Sequence, residues 1–153
     1  MKLTICHLSD IHLGGREDVI LKKRDKICDA ILQEAMKKDV IFFIISGDIA
    51  QGGQNEQYEI AIDFFADIQK RLENSKAIHS YFFFVPGNHD CDFKDSQRNK
   101  DDELRREKVI GSRESISEDD LAYYIESLCK KQQNFYDFVN LFDYDVVDNI
   151  EVK

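Results

Sequence analysis

An α/β fold, a parallel sheet wound β-α-β-α-β, is what this sequence predicts. Three short runs rich in Ile, Phe, Val and Tyr (Leu3–Leu8, Val40–Ser46 and Tyr81–Val85) are each bounded by polar or turn residues, as buried parallel strands are. Between the runs, apolar residues recur at helical spacing. Each run is followed by a short string of polar residues: Asp10-Ile11-His12, Gly47-Asp48 and Gly87-Asn88-His89-Asp90.

Between the first two runs, Ile20, Ile27, Ala30, Ile31, Ala35 and Met36 stand among lysines and acids, predicting an amphipathic helix over about 18–38. Tyr58, Ile62, Phe65, Ile68 and Leu72 predict a second helix before the third run. Pro86, the only proline, removes a donor directly after that run and stops the strand at the Gly87 turn. Crossovers of this kind are right-handed and leave every loop that follows a strand at one edge of the sheet. That edge is where open α/β sheets bind ligands, so the three strings are expected to converge there.

From Cys91 to about Arg113 the chain turns to Asp, Glu, Lys, Arg, Ser and Asn, the composition of a solvated loop. Ser117 and Asp120 then resemble a capping box, and Leu121, Tyr124, Ile125, Leu128, Phe135, Phe138 and Phe142 continue at helical spacing. Val146-Val147 and Ile150 are read as the start of another strand. The expected organisation is one domain over 1–153, with a motif-bearing part at 1–90, a charged loop at 91–116 and a helical segment at 117–145.

The 153 residues are 42% hydrophobic, enough for one core, and carry a formal charge of -9. Such a balance argues against a preformed basic surface for a nucleic-acid backbone, and leaves a nucleic-acid substrate open because bound cations would cancel part of the charge locally. The cysteines Cys6, Cys28, Cys91 and Cys129 form no Cys-x-x-Cys pair, and they read as reduced thiols of a cytoplasmic protein. No signal-like or membrane-length apolar run is present in the sequence.

Asp10 and His12 stand two apart where the chain leaves the first strand, so both can face one metal ion. Asp48 has two carboxylate oxygens and can bridge two cations, while Asn88 offers a neutral carbonyl oxygen to a second. Mixed oxygen and imidazole ligands suit Mn, Fe, Zn or Ni better than Ca or Mg.

These strings resemble the first three metal motifs of the calcineurin-like metallophosphoesterases. The likeness lies in His7-Leu8-Ser9-Asp10-Ile11-His12-Leu13-Gly14, Gly47-Asp48-Ile49-Ala50 and Val85-Pro86-Gly87-Asn88-His89-Asp90. The resemblance implies the N-terminal half of a β-sandwich flanked by helices, with a dinuclear metal centre whose bound hydroxide hydrolyses a phosphoester. It implies two divalent ions, Mn foremost, the first held by Asp10, His12 and Asp48 and the second by Asp48 and Asn88. His89 would be the catalytic histidine that donates to the phosphate or leaving group, with Asp90 orienting its ring.

The family completes its centre with further histidines, whereas this chain has none after His89. Completion by a C-terminal remainder or a partner chain is therefore expected, and a fragment of this kind should expose apolar sheet surface. After Asp48 the sequence lacks the Asp-Arg-Gly run of protein serine/threonine phosphatases. It is similar instead to the bacterial cyclic-nucleotide phosphodiesterase-like and repair-nuclease branches, implying a nucleotide or nucleic-acid phosphodiester as substrate. A non-catalytic scaffold of the same fold, or a module of a larger assembly, is the alternative. His7 reads as a buried, hydrogen-bonded histidine, His79 as a structural or surface one, and Cys91 as a small filler.

Overall fold

The computed structural model describes residues 2–35, 38–76, 79–94 and 129–147, with 122, 125 and 126 besides. In chain order its elements are β1 (Leu3–Leu8), α1 (Val19–Lys22), α2 (Arg24–Ala35), β2 (Val40–Ser46), α3 (Asn55–Lys76), β3 (His79–Val85) and α4 (Gln133–Val147). The strands form one parallel sheet in the order β1-β2-β3. This is the predicted β-α-β-α-β winding, with β3 starting at His79, two residues before the apolar run.

The register aligns the strands in ranks that alternate between the two faces. Cys6, Phe43 and Phe82 form one rank, and Leu8, Ile45 and Phe84 another, all on the covered face. Ile5, Phe42 and Tyr81, then His7, Ile44 and Phe83, form the ranks of the opposite face. Because the strand order never reverses, right-handed crossovers set α2 and α3 on one and the same side. The core lies there: Tyr58, Phe64, Phe65, Ile68 and Leu72 of α3 meet Phe43, Ile41 and Ile45 of β2 and Phe135, Phe138 and Phe142 of α4. Aromatic contacts bind the layers, with Phe43 stacked on Phe82 at 4.4 Å and Phe142 edge-on to Phe82 at 5.1 Å.

The opposite face is open among the described residues. Leu3, Ile5, Ile44, Tyr81, Phe83 and Val85 are all exposed on it, as expected of a sheet dressed on one side only. His7 belongs to this face and is exposed instead of buried, although its Nε2 does pair with Ser46 Oγ at 2.6 Å.

Three details differ from the sequence-based expectation. The helix predicted over 18–38 is two helices, because the Lys23 N–H is shared between the Val19 and Ile20 carbonyls in a tightened turn. On α2 the buried positions are Cys28 and Ala35, and Ala30 faces solvent. Val146 and Val147 end α4 instead of starting a strand. The charged loop beyond residue 94, most of the helical segment before residue 129, and Met36 and Ile150 lie outside the described residues.

Candidate metal centre

The site is built by the loops leaving the three strands. The first two do not separate at the strand ends. The Asp10 N–H donates to Gly47 O at 3.3 Å, His12 N–H to Asp48 O at 2.9 Å and Leu13 N–H to Ile49 O at 2.8 Å, and Leu13 forms a parallel bridge with Ala50. The loops thus run as a second zipped segment, with Leu13, Ile49 and Ala50 fully buried as its anchor.

This pairing holds three non-glycine residues in the left-handed region: Asp10 at φ 54°, His12 at φ 50° and Asp48 at φ 55°. Such conformations cost an ordinary residue energy and persist where surrounding bonds over-determine them. Here the three strained residues are all predicted metal ligands. Gly47, at φ 91°, turns the chain just before Asp48. The third loop is packed against it so closely that a Cβ at Gly87 would fall on the Asp48 carboxylate. Glycine there admits the approach.

Ligand atoms of His12, Asp48 and His89 lie within 4.8 Å of one another. The His12 and His89 rings meet edge to face, centroids 4.6 Å apart, and Asp10 Oδ1 stands 4.0 Å from His12 Nε2. His89 is tied twice: its N–H donates to Asp48 Oδ1 at 2.9 Å, and its Nδ1 meets Gln51 O at 3.0 Å. A carbonyl oxygen only accepts, so Nδ1 carries the proton and the lone pair of the neutral ring sits on Nε2. That nitrogen can ligate a cation or, once protonated, donate to an anionic oxygen. Asn88 is exposed on the same loop, between Gly87 and His89. His79 stands at the start of β3, at the far edge of the sheet.

Asp90 does not orient the imidazole, contrary to expectation, for its carboxylate is committed elsewhere. Wholly buried, it accepts from Ala50 N at 2.9 Å and the Tyr58 hydroxyl at 3.0 Å through Oδ1, and from Gly87 N at 2.9 Å and Ile49 N at 3.3 Å through Oδ2. Gln51 takes the orienting role through its main chain, which no side-chain pattern announces. Tyr58, read from sequence only as helix core, is the one side chain among the described residues bonded to Asp90; burial, then the Asp90 charge, pushes its hydroxyl pKa upward, so it stays a donor. Burial likewise raises the Cys91 thiol, which fits a filler better than a nucleophile.

Residues 3–151 match the family model for calcineurin-like phosphoesterases, and the chain belongs to that family. The match runs through the charged and helical segments as well as the motif-bearing part. No match is found among the curated proteins. Membership makes the protein a metal-dependent phosphoester hydrolase. The residues present fit a divalent cation: two imidazoles and a carboxylate converge, and two of the three, His12 and Asp48, stand on backbone in the left-handed region. Among the described residues no helix is long and apolar enough to cross a membrane.

Proposed function

We propose that this chain supplies the N-terminal half of a dinuclear centre that hydrolyses phosphodiesters of nucleotides or nucleic acid. The observation that carries the proposal is the convergence of His12, Asp48 and His89 from three separate loops. Asp10, His12 and Asp48 would hold one ion, and Asp48 with Asn88 the other, a mixed ligand set that suits Mn, Fe, Zn or Ni, of which the family resemblance puts Mn foremost. Bound cations supply Lewis-acid stabilisation of the phosphoryl oxygens and acidify water there.

The protein's own groups do the rest. Asp48 Oδ1 accepts the main-chain N–H of His89, which ties the loop after β3 to this carboxylate and leaves its second oxygen for ligation. Gln51 O fixes the ring by its Nδ1, which leaves Nε2 free to take up a proton and, as the imidazolium, to give it to the departing alkoxide. The absence of an Asp-Arg-Gly run after Asp48 supports a diester over a phosphoprotein substrate. Four cysteines without a disulfide support a cytoplasmic setting. The open apolar face supports completion of the sandwich by further polypeptide, of the same protein or of a partner, bringing the remaining histidines.

The test is a calorimetric titration with Mn2+ and an assay on bis(p-nitrophenyl) phosphate using the protein at its full natural length. Hydrolysis is expected to require added metal and to fall at least about a hundredfold in Asp48→Asn, which also removes Mn2+ binding. Activity that survives both a chelator and Asp48→Asn overturns the proposal. Mn2+ binding with no hydrolysis of any phosphoester favours the scaffold reading.

A further inference from the structure

We infer that Tyr58 is a positioning residue for the metal centre, acting through Asp90 on the separation of the loops after β2 and β3. The inference rests on reading those loops as a metal site.

Asp90 is the hub. Of the four donors on its carboxylate, Ile49 N and Ala50 N belong to the loop that carries Asp48, and Gly87 N to the loop that carries Asn88 and His89. One buried carboxylate therefore joins the two loops that must present their ligands to shared ions. The fourth donor, the Tyr58 hydroxyl, is the only side chain of the set, and it also reaches Asp90 O at 3.3 Å. Tyr58 thereby restrains both the carboxylate and the main chain of the hub.

The hydroxyl cannot follow a drifting loop, because its ring is clamped. Tyr58 sits in the first turn of α3, stacked on Phe138 at 5.3 Å and edge-on to Phe135 at 6.3 Å, both on α4. The outer side of the same loops is tied to this region too: Asn134 Nδ2 donates to Gly53 O at 2.8 Å and Asp92 N–H to Lys131 O at 2.8 Å. A rigid path thus runs from the aromatic wall of α4 through Tyr58 and Asp90 to Asp48 and His89. Outer-shell bonds of this kind set ligand geometry, and their loss weakens metal binding while the ligands themselves remain.

Tyr58→Phe keeps the stacked ring and removes only the hydroxyl. Mn2+ affinity measured by calorimetry is expected to fall about tenfold in this variant. The amides of Ile49, Ala50 and Gly87 are expected to exchange hydrogen faster. Leu72→Ala, a core change farther along α3, serves as the stability control: it should lower the melting temperature and leave Mn2+ affinity of the folded protein within about twofold. Equal losses of affinity in the two variants, or wild-type affinity in Tyr58→Phe, overturn the role of Tyr58 alone. Wild-type protein that binds no Mn2+ overturns the metal reading, and this role with it.

Discussion

Single residues at the site work under steric limits that their neighbours impose. Asp10, His12 and Asp48 hold positive φ on the two zipped loops, next to the buried anchors Leu13, Ile49 and Ala50. Gly87 shows the tightest limit. A Cβ there would meet Asp48 N at 2.5 Å and overlap its carboxylate. Gly87→Ala is expected to destabilise the protein by about 1–3 kcal/mol, the usual cost of overpacking, and to abolish Mn2+ binding even where the fold survives. Chemical denaturation alongside calorimetry checks both; a stable Gly87→Ala protein with unchanged metal affinity contradicts the close approach of the loops.

At the scale of elements, α4 matters more than its place late in the chain suggests. Phe135, Phe138 and Phe142 recur on one face and insert among Tyr58, Phe65, Phe82 and Phe84, so this helix closes the core that β2 and α3 begin. Phe138 lies at the centre, 1% exposed. Phe138→Ala is expected to cost about 3–5 kcal/mol, read as a lower denaturation midpoint, since a buried ring is removed from a wall that cannot collapse around the gap. A loss below about 1 kcal/mol would show that α4 is only loosely docked. The helix that supports Tyr58 is thus itself part of the core.

At the scale of the molecule, the uneven dressing of the sheet among the described residues dominates. Parallel sheets are ordinarily covered on both faces, yet here Ile5, Tyr81, Phe83 and Val85 stand about half exposed on a contiguous surface. An apolar patch of that kind marks an interaction surface. The isolated chain is expected to bind the dye ANS there, and the double change Ile44→Thr with Phe83→Ser should cut the fluorescence severalfold while moving stability by no more than about 1 kcal/mol. Undiminished fluorescence would place the dye elsewhere and the face under cover.

The strands, both crossovers and the three ligand strings were legible in the sequence because each is a local pattern. An apolar run of Ile and Phe, helical periodicity in Tyr58 to Leu72, and a polar string after each run depend on residues within a few positions of one another. Asp10, His12, Asp48 and His89 could be placed at one edge for the same reason, since parallel winding leaves no other edge for them. What only the tertiary structure decided are relations between distant segments. Ala30 is exposed while Cys28 is buried, because which stripe of α2 is covered depends on how it lies on the sheet. His7 is exposed because its face has no cover among the described residues. Asp90 stands next to His89 in sequence, yet its carboxylate turns to Tyr58 and three amides, where four donors offset the cost of burying a charge better than one imidazole would. Sequence alone therefore determined which strings meet at one edge of the sheet, and the folded chain decided which of their groups converge and what holds them in place, because a hydrogen-bond partner is chosen by distance in space and not by order along the chain.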